Sequence, residues 1–137
     1  MIECFATWCG PCQMMIPHLA QMTKKYPNVY IVSVSQEDFG TVASFSLMRP
    51  QTREYNLAVD ESGAVGQLMN RFGVTSIPHA FLINGKGELV WHGHPGQAES
   101  VLSQLNQEAL QEMEQQKPQK QDNNLRTTVN FSALFKK

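Results

Sequence analysis

Apolar and polar residues recur along the chain in two periods, and the changes between them mark out the elements. Residues 2–7, Ile-Glu-Cys-Phe-Ala-Thr, carry few polar groups and read as a strand buried on both faces. From Pro11 the period changes. Met15, Leu19, Met22 and Tyr26 recur at spacings of three and four, which predicts a helix reaching about Tyr26. Pro11 suits its first turn, Lys24 and Lys25 its last, and Pro27 ends it. Val29–Val34 is rich in β-branched residues and reads as a second strand. A short helix is predicted over Asp38–Leu47, with Gly40 as its weak point, and Met48–Glu54 is polar and irregular.

Beyond Tyr55 the pattern predicts a short strand at Asn56–Val59. A helix capped by Ser62 follows, with Val65, Leu68, Met69 and Phe72 on one face and Gly73 ending it in the left-handed conformation. Ala80–Ile83 and Glu88–His92 form a hairpin around Asn84-Gly85-Lys86-Gly87, because an Asn-Gly pair between apolar runs favours a tight reversal. A last helix from Gln97 to about Lys117 buries Val101, Leu102, Leu105, Ala109 and Met113, and Pro118 closes it. Its Gln- and Glu-rich last turns project into solvent. The expected organisation is one domain over 1–117 and a polar linker and tail over 118–137. Residues 119–124 are the linker, and the tail is apolar at Leu125, Val129, Phe131, Leu134 and Phe135. Strand–helix–strand at the start implies a right-handed parallel unit, and the hairpin adds antiparallel strands. The fold class is α/β: a central mixed sheet with helices on both faces.

Composition narrows the function. Eleven Lys and Arg against 12 Asp and Glu leave a net charge of −1, too little positive charge for a nucleic-acid footprint. No apolar run spans a membrane, and the start lacks a charged-then-apolar export signal, so a cytoplasmic setting is expected. A monomer is expected as well. Three cysteines are too few for a disulfide scaffold, and two of them sit together as Cys9-Gly10-Pro11-Cys12.

That pair follows a predicted strand and opens a predicted helix. The thiolate is the nucleophile toward a disulfide, and a free thiol with a pKa near 8.5 is mostly protonated at neutral pH. Unpaired N–H groups and partial positive charge at a helix start stabilise the anion. Cys9 therefore sits where its thiolate is favoured, exposed to attack. Cys12, one turn inside, is sheltered and close enough to attack a mixed disulfide on Cys9. Gly10 and Pro11 permit the tight entry, and Trp8 reads as a core residue, as a shield of the nucleophile from water, or as both. A zinc pair is the competing reading: His92 and His94, two apart on a strand, complete four ligands on paper, but no second CxxC exists, and no metal is expected. Cys4 reads as a core residue of the central strand.

Phe5-Ala6-Thr7-Trp8-Cys9-Gly10-Pro11-Cys12 resembles the active-site stretch of the thioredoxin superfamily. Pro17 is similar to that family's helix proline, Ser76-Ile77-Pro78 to its cis-proline loop facing the cysteines, and Gly93 to a glycine beyond the hairpin. The run from Asn56-Leu57-Ala58-Val59-Asp60 through Arg71-Phe72-Gly73-Val74 to His79-Ala80-Phe81-Leu82-Ile83 resembles the TlpA/ResA-like branch, which carries a strand–helix insert. The resemblance covers residues 2 to about 115 and implies a thioredoxin fold, minimal at its N-terminus, since the family has at least one more strand before the cysteines. It places His79 near the sulfurs, where thioredoxins have threonine, and no counterpart of thioredoxin's second-strand lysine occurs in Val29–Val34.

The activity implied is thiol-disulfide exchange by Cys9 and Cys12 on disulfide-containing proteins, recharged by a dithiol reductase or other electron donor. The redox-active disulfide replaces any cofactor, and Gly-Pro between the cysteines implies a potential near about −270 mV. By resemblance Ile77 offers backbone hydrogen bonds to the substrate beside a cis Pro78, and Trp8, Gly10 and Pro11 border it. Glu3, six residues before Cys9, matches the family's buried acid and is a candidate proton acceptor for Cys12; the competing reading places it in water near the chain start. The rival function is a non-catalytic module that docks a partner through its tail.

Overall fold

The computed structural model describes residues 1–118. Its strands are β1 (Ile2–Cys4), β2 (Val32–Ser35), β3 (Asn56–Val59), β4 (His79–Ile83) and β5 (Leu89–Gly93). Its α-helices are α1 (Gly10–Lys25), α2 (Phe39–Leu47), α3 (Ala64–Arg71) and α4 (Glu99–Gln116), with single 3-10 turns at Pro50–Arg53 and Pro95–Gln97. The sheet order is β3-β2-β1-β4-β5. β1 and β2, and β2 and β3, pair in parallel, while β4 joins β1 and β5 antiparallel. β1 is thus the central strand, with Glu3 opposite Ser33 on one side and Ala80 on the other.

One face of the sheet carries the main core. Met15, Leu19, Met22 and Tyr26 of the α1 stripe pack with Ala80 and Leu82 of β4 and with Leu102 and Leu105 of α4, all buried. Side chains alternate along β4, so Phe81 turns to the opposite face, where its ring lies 5.9 Å from Phe72 at the end of α3. That second face is thinly covered: no residue of α3 is fully buried, and Phe72 keeps 37% of its surface exposed. The stripe Val65–Phe72 therefore covers the sheet less completely than its periodicity predicts.

Several boundaries shift for local reasons. β1 ends at Cys4 and not at Thr7, because the chain must turn out of the ladder to reach the helix start; Phe5 N–H still donates to Val34 at 3.1 Å, and Cys9 N–H closes a turn on Ala6 at 3.1 Å. β2 starts at Val32, since Val29 N–H is drawn back to Tyr26 at 3.1 Å and Asn28 N–H to the Asn106 side chain at 2.9 Å. α4 starts at Glu99 because Pro95–Gln97 forms a separate 3-10 turn. At α3 the Ncap position falls to Gly63 in the left-handed region (φ 81°), and Asp60 supplies most of the capping. Its carboxylate accepts from Val65 N–H at 2.8 Å and Ser62 N–H at 3.0 Å, while Ser62 Oγ takes only Ala64 N–H at 3.2 Å. The hairpin closes on Gly87 (φ 82°): Asn84 lacks positive φ, Gly87 N–H donates to its carbonyl, and its side-chain oxygen caps Lys86 and Glu88 N–H groups. The predicted linker, 119–124, and tail, 125–137, lie outside the described residues. No helix among the described residues is long and apolar enough to cross a membrane.

Candidate active site

Cys9 is the Ncap residue of α1, and its Sγ accepts a hydrogen bond from Cys12 N–H at 3.1 Å. One spare donor of the first turn is thus turned on the sulfur. Gly10 and Pro11 form that turn, where Pro11 lacks only a donor with no helical partner. Gly10 is exposed, and a Cβ there meets open space. Cys9 and Cys12 are joined as a disulfide with Cα atoms 5.2 Å apart.

The expected contrast between an exposed Cys9 and a sheltered Cys12 is small in this oxidised state: 4% and 2% of their surfaces are accessible. Phe5, Ala6 and Val42 pack around both, with Ile77 against the cluster. Trp8, by contrast, is 75% exposed at the rim. It borders the site and does not cover it.

Across from the helix start, Ile77 and Pro78 are joined by a cis peptide bond, and the Ile77 carbonyl oxygen lies 3.8 Å from Cys9 Sγ. Pro78 is buried and Ile77 half-buried. His79 follows on β4, and its Nε2 meets His92 Nδ1 at 3.0 Å, with Phe81 stacked on His92 at 5.6 Å and tilted against His79 at 5.1 Å. Partial burial, then the neighbouring His92 and His94, lower the pKa of His79. His92 thus faces His79, and His94 Nδ1 is engaged by Gly96 N–H at 3.0 Å.

Glu3 is fully buried, which excludes the water-exposed alternative. It shares a face with Ala80, the face on which α1 packs. One carboxylate oxygen accepts a hydrogen bond from Ser33 Oγ, and the other accepts none. Burial pushes its pKa up from 4.5 to about 8, with the Ser33 hydrogen bond acting in the opposite direction. Cys4 is a buried free thiol, pushed up to about 12 by burial and then by the charge of Glu3. It therefore stays protonated at neutral pH.

Sequence reasoning missed a group of residues that brace the site. Glu37 accepts from Thr7 N–H at 2.9 Å and from Thr7 Oγ1 at 2.7 Å. Gln13 Nε2 donates to Thr7 O at 2.8 Å, and Arg49 Nη2 to Gln13 Oε1 at 2.8 Å. These bonds fix the peptide two residues before Cys9. Thirty residues separate Thr7 from Glu37, so no local pattern pairs them.

The comparisons with known proteins agree with this geometry. The family model described as Thioredoxin-like matches residues 1–89. The chain is similar to the mitochondrial thioredoxin-3 of Saccharomyces cerevisiae, 42% identical over 43 residues, which cover 31% of this chain and 34% of that protein. A thioredoxin H-type of Ricinus communis is also 42% identical over 43 residues, covering 31% and 36%. The matched segments thus span about a third of the length of these curated relatives. Among solved structures, a protein assigned as the thiol:disulfide interchange protein DsbE of Chlorobium tepidum superposes with a TM-score of 0.60 at 29% identity, covering 80% of this chain and 77% of that one. StoA of Bacillus subtilis superposes with a TM-score of 0.58 at 25% identity, covering 74% and 78%. With a close cysteine pair at a helix start in the same fold and a family model that matches residues 1–89, the chain belongs to the thioredoxin-like family.

Proposed function

We propose that this chain is a protein-disulfide oxidoreductase of the TlpA/ResA-like branch, with Cys9 as nucleophile and Cys12 as resolving thiol. The observation that carries the reading is Cys9 at the helix Ncap, its sulfur held by Cys12 N–H and opposite the Ile77 carbonyl of the cis-proline loop. β3 at the sheet edge, between the second strand and that loop, supports the branch.

In the dithiol state the Cys9 thiolate attacks a substrate disulfide. A sulfur–sulfur bond forms to Cys9, the substrate bond breaks, and the leaving thiolate takes up a proton. Cys12 then loses its proton and attacks Cys9 Sγ, which releases the second substrate thiol and leaves the Cys9–Cys12 disulfide. Two electrons pass to the substrate. A dithiol reductase or other electron donor restores the pair. Glu3 is the proposed acceptor of the Cys12 proton: it is buried on the face of α1 and has an unbonded oxygen. Its raised pKa makes the carboxylate a base matched to neutral pH. Trp8, Gly10 and Pro11 border the substrate, and the Ile77 backbone aligns its extended chain. No cofactor enters the cycle.

Insulin-disulfide reduction with a dithiol donor is the test. Turnover is expected for the full chain. Cys12→Ser accumulates a mixed disulfide through Cys9, and Cys9→Ser does not. Absence of turnover together with tail-dependent capture of a partner overturns the proposal in favour of a binding module.

A further inference from the structure

Beside the disulfide, on the thinly covered face of the sheet, a cleft of about 200 Å³ opens between β1, β2 and α3. Trp8 and Ile77 stand on its wall, and Ile77 is the residue whose carbonyl lies 3.8 Å from Cys9 Sγ. Ile77 thus belongs both to the cleft and to the loop that faces Cys9. Its volume is below the roughly 300–1,000 Å³ of cofactor and ligand pockets. A single long side chain fits that scale.

The lining has two parts. Cys4, Val34, Met69 and Ile77 are apolar, while Glu37 is the one charged residue among those lining the cleft. Burial works to raise the Glu37 pKa, but the hydrogen bonds from Thr7 and Ser35 outweigh it and lower the pKa, so the group is an anion at neutral pH. The carboxylate accepts three hydrogen bonds, from Thr7 N–H, Thr7 Oγ1 and Ser35 Oγ. An ionised carboxylate offers about four acceptor sites, which leaves one for an incoming donor. Gln36 narrows the cleft toward α3: its amide reaches Met69 Sδ at 3.9 Å, and a Cβ on Gly66 would come within 2.8 Å of its oxygen.

We propose that this cleft is a substrate subsite that takes a lysine or arginine side chain from the segment bearing the target disulfide. The aliphatic stem lies against Cys4, Val34, Met69 and Ile77, and the cationic head meets Glu37. An uncharged aliphatic chain fills the apolar part but buries the carboxylate without a new partner, and an acidic chain is repelled. The inference rests on the oxidoreductase reading above and names the substrates that the site selects.

Single-turnover oxidation of the reduced full chain tests it. The probes are symmetric disulfides of a short peptide whose residue next to cysteine, on either side in turn, is lysine, norleucine or glutamate. The lysine peptide is expected to react about tenfold faster than the glutamate peptide, with norleucine between, since a charge-assisted hydrogen bond gains or loses about that factor. Glu37→Gln should bring the three rates together. Because that change also touches Thr7, Met69→Trp is the second variant: it fills the cleft from α3 and should remove the advantage of both long side chains. Equal rates on all three peptides in the wild type, or a lysine preference unchanged in both variants, overturns the subsite alone. A reduced protein that reacts with no peptide overturns the oxidoreductase reading on which it rests.

Discussion

Replacing Glu3 by glutamine should change the pH dependence of stability more than any other single substitution at the site. The carboxyl has a pKa of about 8 in the folded chain against an ordinary 4.5. Folding therefore favours its protonated form. Stability is full below the unfolded value and falls as pH rises through the folded one, because unfolding lets the group ionise in water. At 1.36 kcal/mol per pH unit, the interval from 4.5 to 7 costs about 3 kcal/mol, and the full interval to about 8 costs about 5 kcal/mol. Against a domain stability of about 5–15 kcal/mol, that is a large share. Glutamine keeps the shape and an acceptor for Ser33 but cannot ionise. Urea unfolding of the oxidised protein at pH 5, 6, 7, 8 and 9 should show the wild type losing stability relative to Glu3→Gln through this window, the Met1 amino group and His79 titrating alike in both. The slope is the readout, because any fixed cost of the amide shifts the variant equally at every pH. Parallel curves for the two proteins would refute the reasoning. In stopped-flow resolution of mixed disulfides, the same variant should be several-fold slower at pH 7, and the gap should close at high pH where Cys12 ionises unaided.

Cys9 should alkylate faster than Cys12 in the reduced protein at pH 7, as mass mapping of iodoacetamide adducts will show, because the helix start stabilises its thiolate. Cys4→Ala should keep most of the reductase activity and lose about 1 kcal/mol by chemical denaturation, the cost of a small cavity around a thiol that never ionises at neutral pH. Gly87→Ala should cost about 1–2 kcal/mol in thermal unfolding without altering turnover. Its φ of 82° strains any L side chain, although a Cβ there meets open space.

The parts legible in the sequence are those whose signal is local. Asn56–Val59 is the observed strand to the residue, and Gly73 ends α3 at φ 64° as its position predicts. Cys9 at the head of α1 follows from a strand, a CxxC and a helical stripe read in succession. Where two local devices compete, the sequence misleads: Ser62 looks like the cap of α3, but Asp60 reaches farther and takes that role, and Asn84-Gly85 closes the hairpin through Gly87. What no local pattern reveals is tertiary. The Glu37–Thr7 brace spans thirty residues, and His79 meets His92 only once β4 and β5 are paired. Glu3 shows the middle case: only the resemblance to the family's buried acid, six residues before Cys9, singles it out, and its burial depends on β2 and β4 closing on either side.

The order of the strands also bears on the chain during its synthesis. Cys9 and Cys12 leave the ribosome well ahead of Ile77 and Pro78, since Pro78 follows Cys12 by 66 positions. At about 5–20 residues per second that interval lasts roughly 3–13 s. During it β1 can pair with β2, but its antiparallel neighbour β4 and the carbonyl that faces Cys9 do not yet exist. The nascent chain thus carries a thiol pair at a helix start with no cis-proline loop opposite it. Under the proposed function, selection of substrates begins only late in translation, when the strand that follows Pro78 takes its place beside the first.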